Sequence, residues 1–575
     1  MRNTEIADAF SELADLYELD GAIVHRVLAY RNGAKAIRDS GRSVAELSRA
    51  GRVEELSGVG KTLAEKIEVL LETGSIPSAE KLKAKFPAGL VAITRIPGLG
   101  PKRVRRLHDE LGISSLEELG EAAAAGRLRD LSGFGAKAEQ NILESLVAFE
   151  AGAPRGRVIL SRALAIANEL RDELRAHPSA IRVEVAGSAR RMAESCKDLD
   201  IVAATTDRDA LIEAFLASPL LEGGSSGGSS GARATTNTGM PVDLRIVAPD
   251  CFGNLLQHFT GSKQHNEALR TAAVKRGLHV SEYGIKDDAT GETATATTEA
   301  EVYELLGMAY VEPELRENRG ELEAARKGRL PQLIEPADIR GDLHMHTTAS
   351  DGRNSIGEMA QAAIEQGLDY IAITDHSASH GFGNEVSPDA LRRLIARVRE
   401  VDERIDGIRI LAGSEVNVLP NGSLDYDDQL LGELDWVIAS LHSSFRMGER
   451  EITDRMVRAI EHPLVDAIGH PTGRLIERRE PYAVDFERVI AAAVGTGTFL
   501  EINANPDRRD LNEIHARQAV EAGVKLVIDS DAHGVERLAN IRYGIATARR
   551  AWLTAGDVAN TRSWPELRAL RPRPT

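Results

Sequence analysis

Cysteine is nearly missing from this chain: Cys196 and Cys251 are the only two in 575 residues. They supply neither a disulfide framework nor a thiolate metal site, and they suit a reducing compartment, so a cytoplasmic location is expected. Aromatic residues make up only 4% of the chain, so the cores must be aliphatic. No apolar run approaches the roughly 20 residues that span a bilayer. The first residues, MRNTEIADAF, lack the apolar centre of a signal peptide. No membrane partner is expected. Excess positive charge is also lacking: the net charge is −17, which at first disfavours a nucleic-acid partner. The acidity is uneven, however. Residues 1–150 hold 21 Lys and Arg against 23 Asp and Glu, and residues 331–575 hold 28 against 39. Local basic clusters such as Lys102, Arg103, Arg105 and Arg106 can still meet phosphates.

The length predicts three or four domains. Residues 1–150 read as helices, with apolar residues at three- and four-residue steps (Ile6, Phe10, Leu13, Ala14, Tyr17). One pattern occurs three times: LSGVGKTLAEKI from Leu56, IPGLGPKRVRRL from Ile96 and LSGFGAKAEQNI from Leu131. Each is an apolar residue, Gly-x-Gly and an amphipathic helix. Glycines at such a turn let a phosphate approach the unpaired N–H groups that open the helix. A single copy would be a plain glycine-capped turn. Three copies, two followed by lysine, point to DNA-backbone binding by Gly58, Gly60 and Lys61, by Gly98, Gly100 and Lys102, and by Gly133 and Gly135. Residues 1–90 and 91–150 form two such helical domains.

Residues 151–250 mix strands and helices. RVEVAGS, LDIVAAT and VDLRIV read as strands, and GGSSGGSSG (223–231) reads as a flexible loop. Strand alternation turns Asp198 and Asp200 to one face, and sets Asp243 away from Val242, Leu244 and Ile246. Three converging carboxylates repel unless cations lie between them, and hard oxygen ligands suit Mg²⁺ that also binds substrate phosphates. Three surface aspartates on exposed strands are the plainer alternative. They leave unexplained Gly187-Ser188 ahead of Arg190 and Arg191, a cradle suited to a triphosphate.

Residues 341–575 alternate short strands with helices. Seven strand candidates end in GDLHMH, IAITDH, ILAGSE, VIASLH, DAIGH, LEIN and LVIDSDAH, which predicts a parallel β/α barrel. His344, His346, Asp351, His376, Glu415, His442, His470, Asp531 and His533 would then gather at its C-terminal mouth. Nine imidazoles and carboxylates in one cleft suit Zn²⁺, Mn²⁺ or Fe²⁺. Arg508 and Arg509 follow LEINANP, either as phosphate ligands or as part of a solvated loop.

These motifs carry resemblances. The three repeats resemble helix–hairpin–helix motifs. AYRNGAKAI with LSGVGKTLAEKIEVLLETG resembles the small N-terminal domain of DNA polymerase beta. In that family a lysine of this helix forms a Schiff base with an abasic sugar. The matching residue is Lys66, either a lyase nucleophile or a plain surface lysine. VAGSARRMAESCKDLDIV, VDLRIV and FGNLLQHFTGSKQHNEALR resemble the family X DNA polymerases. That resemblance implies that Gly187, Ser188 and Arg191 hold the incoming triphosphate and that Phe259 and Gly261 flank its sugar. It also implies that Asn266 and Arg270 lie near the nascent base pair, and that Lys263 is the basic residue common in bacterial members. His258 stands where a tyrosine is often found, and the Gly/Ser loop stands where a more structured hairpin is usual. Residues 251–327 would be the nucleotide-selection subdomain, 328–340 a linker.

DLHMHTTASDG, ITDHS, GSEVN, ASLHS, IGHP and DSDAH resemble the PHP superfamily, which holds three metals. The resemblance assigns His344, His346, Glu415 and Asp531 to one, Glu415, His442 and His470 to a second, and Asp351, His376 and His533 to the third. The whole order is similar to bacterial family X DNA polymerases with a C-terminal PHP domain. The expected fold is multidomain. It has all-α helix-hairpin-helix N-terminal domains, an α/β nucleotidyltransferase palm with fingers, and a distorted, TIM-like, seven-stranded β/α barrel. The expected activity is gap filling by Asp198, Asp200 and Asp243 with Mg²⁺. The barrel, with Mn²⁺ or Zn²⁺, would trim 3′ ends and open abasic sites. The partners would be gapped or primer–template DNA and dNTPs, and the chain a monomer. Two other readings are a small-molecule phosphomonoesterase barrel and a DNA-binding scaffold with a silent palm.

Overall fold

The computed structural model describes the chain except residues 2, 41, 57, 87, 95, 97, 98, 130, 132, 133, 136–138, 140, 141, 144, 145, 147–156, 380–384 and 571–575. It divides into two units, the first made of 1–158, 162–185 and 197–249, the second of 159–161, 186–196 and 250–575.

The first unit opens with helices. Asn3–Leu19 and Val24–Asp39 pack through Ile6, Phe10 and Leu13 against Val27, Tyr30 and Ile37, the aliphatic core that the composition requires. Helix Lys61–Thr73 starts on Gly60, and helix Pro101–Leu111 starts on Gly100. Gly58 has φ +94°, a left-handed turn that a side chain would strain.

The same unit holds a five-stranded sheet in the order Ala180–Val185, Leu199–Thr205, Pro241–Val247, Gly231–Thr236, Leu221–Ser226. The pairing of Leu199–Thr205 with Pro241–Val247 is parallel, and the other pairings are antiparallel. In Pro241–Val247 the buried residues Val242, Leu244 and Ile246 alternate with half-buried Asp243 and Arg245. Helix Arg208–Leu216 buries Leu211 and Phe215. The Gly/Ser stretch is not a loop. Residues Leu221–Ser226 form an edge strand laddered to Gly231–Thr236, with a turn at Gly228–Ser230. Backbone hydrogen bonds need no side chain, so a composition without core residues still pairs at an exposed edge.

The second unit contains two parts. Residues 251–327 bring together helices Phe252–Thr260, Lys263–Val274, Glu299–Leu305 and Glu321–Arg326 with a three-stranded antiparallel sheet. Their core includes Leu269, Ile285, Val302, Tyr303 and Leu315. The stretch 328–340 packs instead of spanning free space. Leu333 joins that core, and Ile334 and Ile339 enter the core of the following barrel.

The barrel has seven parallel strands in sequential order: Gly341–Asp342, Tyr370–Ile373, Arg409–Asn417, Trp436–Ser440, Ala467–Ile468, Phe499–Asn503 and Leu526–Asp529. Tyr370, Ala372, Leu411, Trp436, Ile438, Phe499 and Val527 share the inner cluster. Their neighbours Ile371, Ile373, Ile410, Val437, Leu500 and Ile528 pack outward under the helices. Gly341 lies against the Tyr370 ring, where a Cβ would come within 2.1 Å of it. The first and last strands meet, so the barrel is nearly closed. Met345 bridges Ala532, and the His346 N–H donates to Ala532 O at 2.8 Å.

Candidate functional site

Each barrel strand delivers a polar residue at or just past its C-terminal end, where the apolar alternation stops. Glu415 lies on Arg409–Asn417, two inward positions beyond Leu411. His442 and His470 each follow their strands by two residues, as does Asp531. All nine residues singled out in the barrel come together. Glu415 Oε2 lies 2.8 Å from His376 Nδ1, 3.5 Å from His344 Nε2 and 3.7 Å from His346 Nε2. Its other oxygen is 3.1 Å from His442 Nε2 and 2.9 Å from His470 Nε2. Asp531 Oδ1 sits 3.3 Å from His346 Nε2, and Asp351 Oδ2 sits 3.1 Å from His533 Nε2.

Three overlapping sets present ligand atoms within 4.8 Å of one another: His346, Asp351, His376 and His533; His344, His346 and Asp531; and His376, Glu415 and His442. His344 Nε2, both ring nitrogens of His346 and His470 Nδ1 are buried without hydrogen bonds. Buried polar atoms without partners are costly. Divalent cations would satisfy them, so the donor set fits a multinuclear metal centre. His470 and Asp531 also hold left-handed backbone conformations, φ +30° and +51°. Such strain in non-glycine residues gathers at functional sites.

The electrostatics agree with a cation-binding cleft. Burial, then His533 and His376, push His346 down to about 3, so its imidazole is neutral and able to donate a lone pair. Burial, then Arg508, does the same to His470, also to about 3. Burial pushes the Glu415 carboxyl up, but His442, His376 and His344 outweigh it and hold it well below the usual range. Burial likewise opposes His533, yet its hydrogen bond to Asp351 raises it to about 9.

Sequence reasoning missed the layer beneath. Glu501, on strand Phe499–Asn503, is fully buried and lies 2.7 Å from His344 Nδ1. It also accepts the His470 N–H at 2.5 Å. Asn503 Nδ2 donates to Glu501 and to Asp531, each at 3.2 Å. The signal was there: Glu501 and Asn503 continue the inward alternation begun by Phe499. Glu501 fixes the His344 tautomer so that Nε2 faces the cleft. Glu501→Gln is expected to weaken metal binding about tenfold to a hundredfold, as read by metal titration of the full chain. Unchanged affinity would deny Glu501 this role. The two neighbouring arginines part ways. Arg508 Nε lies 3.7 Å from Asp531, at the cleft, whereas Arg509 is buried and points to Thr547 and Met192.

In the five-stranded sheet, Asp200 and Asp243 are register partners on adjacent parallel strands, with Leu199 and Ile201 buried on either side of Asp200. Register partners carry their side chains on the same face. Asp198 is exposed and lies one residue before that strand. Asp243 is held by Arg233 at 2.6 Å, and Arg245 is 3.8 Å away. Asp200 and Asp243 thus set hard oxygens of the kind Mg²⁺ takes on one face, but among the described residues the three carboxylates do not gather within 4.8 Å of one another as the barrel sets do.

Gly187, at φ +64°, opens the turn Gly187–Arg190, with half-buried Ser188 next. Arg191 Nε donates to Glu317 at 3.0 Å, and its Nη1 donates to Thr260 O at 2.6 Å. Gly261 packs against this guanidinium: a Cβ there would come within 3.1 Å of Arg191 Nη1. Phe259 is half-buried beside His258. Asn266 is buried, bonded to Gln257 and to the His258 carbonyl. Arg270 reaches back to Asn266 O at 3.3 Å, and Lys263 is exposed. A network unseen in the sequence underlies this region: buried Arg316 and half-buried Arg190 both pair with buried Glu299.

In the helical repeats, Gly60, Gly100 and Gly135 have open space where a Cβ would stand, and Lys61 and Lys102 are exposed. Gly98 and Gly133 lie outside the described residues. Lys66 is half-buried, with its ammonium 3.4 Å from Ser78 Oγ.

Comparison with known proteins matches a helix-hairpin-helix domain to residues 1–76 and a SAM-like helix-hairpin-helix tandem to 90–147. It matches a DNA polymerase beta thumb to 255–317 and a PHP domain to 342–505. The DNA polymerase/3'-5' exonuclease PolX of Bacillus subtilis (strain 168) is 38% identical over 575 residues, the whole of both chains. The C-terminal part is also similar to a probable phosphatase of Thermoanaerobacter sp. (strain X514), 33% identical over 231 residues, 38% of this chain and 89% of the relative. A probable phosphatase of Caldanaerobacter subterraneus subsp. tengcongensis is 35% identical over 203 residues, 33% of this chain and 75% of the relative.

Proposed function

Since the chain belongs to the PolX family of family X DNA polymerases with a C-terminal PHP domain, we propose that it fills short DNA gaps and trims 3′ ends at two separate metal centres. One observation carries the polymerase half: Asp200 stands in register beside Asp243 on the strand that Asp198 leads into. These three carboxylates would hold Mg²⁺, while Gly187, Ser188 and Arg191 take the triphosphate of a dNTP. Asn266 and Arg270 would face the new base pair, and Phe259, Gly261 and Lys263 its sugar and phosphate. The Gly-x-Gly turns, with Lys61 and Lys102, would grip the DNA backbone without reading its sequence.

In the barrel, His344, His346, Asp351, His376, Glu415, His442, His470, Asp531 and His533 would hold Mn²⁺ or Zn²⁺. Bound at either centre, divalent ions polarise a phosphate ester and lower the pKa of an attacking water or hydroxyl. Arg508, beside Asp531, would orient the scissile phosphate. Depressed His346 and His470 keep their lone pairs available at neutral pH.

The similarity of the barrel to probable phosphatases favours a second reading, in which it hydrolyses small phosphate monoesters. One assay separates the two. With a 5′-labelled primer on a template, dNTPs and Mg²⁺ or Mn²⁺, extension is expected. Omitting dNTPs should give shortening at the 3′ end, faster than release of phosphate from a monoester. No extension with either ion would refute the polymerase half. Monoester hydrolysis without shortening would assign the barrel to small molecules.

A further inference from the structure

The segment that carries Gly187, Ser188 and Arg191 is gripped from the barrel at three nearby points. Arg550 Nη1 donates to Arg191 O at 2.8 Å, and Arg509 Nη1 donates to Met192 O at 3.0 Å. Arg474 Nη2 pairs with Glu194 at 2.6 Å. All three arginines are buried, at 6%, 2% and 8% exposure, so each needs these partners to offset its lost hydration. Met192 holds φ +56°, a left-handed conformation that leaves its carbonyl turned toward Arg509.

Arg550 does more than cap a carbonyl. Its Nη1 also lies 3.0 Å from Glu317 Oε1, and that same oxygen accepts the Arg191 Nε–H at 3.0 Å. Glu317 therefore bridges two guanidinium groups, one from the barrel and one from the nucleotide turn. Glu513 holds the other end of Arg550, 2.9 Å from Nη2. Arg319 meets the same Glu513 oxygen at 3.5 Å, so two anions are shared among three cations, and each buried charge here has an opposite partner. Arg191 thus has its main chain and its side chain both referred to one barrel residue.

We propose that Arg550, on the barrel helix Ile541–Arg550, is a positioning residue for nucleotide addition, setting where the Arg191 guanidinium meets the incoming triphosphate. This rests on Arg191 being a triphosphate ligand, as read above. Removing Arg550 leaves Glu317 with Arg191 as its remaining cation. Without the bridge through Glu317 to Arg550 and the Arg550 hydrogen bond to its own carbonyl, the Arg191 guanidinium loses its anchor and is freed to turn, so ground-state binding of the nucleotide suffers before the chemical step does.

The test is single-nucleotide insertion into gapped DNA by the full chain, comparing Arg191→Ala, Arg550→Gln and the double variant, with 3′-end shortening measured alongside. Arg550→Gln should raise KM for the dNTP about fivefold to thirtyfold, with kcat and the shortening rate within about twofold. In the Arg191→Ala background it should add nothing, because the group it positions is gone. Additive effects, an unchanged KM, or an equal fall in both activities would overturn the proposal. A KM rise in Arg191→Ala with none in Arg550→Gln would overturn it alone. If Arg191→Ala leaves KM unchanged, the cradle reading fails first and takes the proposal with it. Should Arg550→Gln fail to fold, Glu317→Gln breaks the same bridge at its other member and should give the same KM rise. An unchanged KM there overturns the proposal equally.

Discussion

Glu415→Gln is expected to abolish 3′-end shortening, by more than about a hundredfold, while primer extension stays within about twofold. The substitution keeps the size and shape of the side chain, so packing is preserved. What changes is chemistry. One oxygen faces His376, His344 and His346, and the other faces His442 and His470. Glutamine turns one of these acceptors into an N–H₂ donor aimed at ring nitrogens and removes the charge that binds cations. Loss of a residue that merely orients a metal ligand costs about tenfold to a hundredfold, and a shared ligand must cost more. Shortening of a labelled primer, with metal content by elemental analysis, checks this. A variant with normal shortening and full metal content would mean that Glu415 is not a ligand.

The mirror experiment is Asp198→Ala together with Asp200→Ala. Nucleotide addition should fall at least about a thousandfold, because charge stabilisation by bound ions supplies several kcal/mol and each ~1.4 kcal/mol is tenfold in rate. Shortening should persist, since its ligands lie in a different cluster. Asp198 is exposed and Asp200 half-buried, so the sheet loses little packing. Asp243 keeps its ion pair with Arg233. Circular dichroism should be unchanged. A double variant that still extends a primer would remove these carboxylates from catalysis.

Much of this was legible because the signals are local. Each barrel strand is a short apolar run ended by a histidine or carboxylate, and the seven read from the sequence occur in that order. Alternation alone placed Asp243 on the polar face of its strand. What stayed hidden depends on partners distant in sequence. Arg550 meets Arg191 from 359 residues away, and nothing near either residue announces the other. Glu501 looks like one acidic residue in an apolar strand until His344 is seen against it. Composition misled at two places. Glycine and serine at 223–231 suggested a loop, but strand pairing there uses only the backbone. Prolines at 328–340 suggested a linker and drew attention from Ile334 and Ile339, which are buried. The paired arginines after LEINANP could not be told apart by eye, since only one of them faces the cleft.

The way the barrel shuts carries a consequence for how the molecule comes into being. The join between first and last strands relies on side chains: Asp529 accepts the Leu343 N–H, Asp342 accepts the Ser530 N–H, and Asn560 donates to Gly341 O and Ile528 O. These ties span 186 residues or more along the chain for the two aspartates. Contacts of that separation are the slowest to form, because loop closure must precede their reward. During synthesis, the helical repeats and the palm strands have all their local neighbours long before Asn560 leaves the ribosome. The metal cleft at the barrel mouth therefore ripens after the helical repeats and the five-stranded sheet that precede it in the chain.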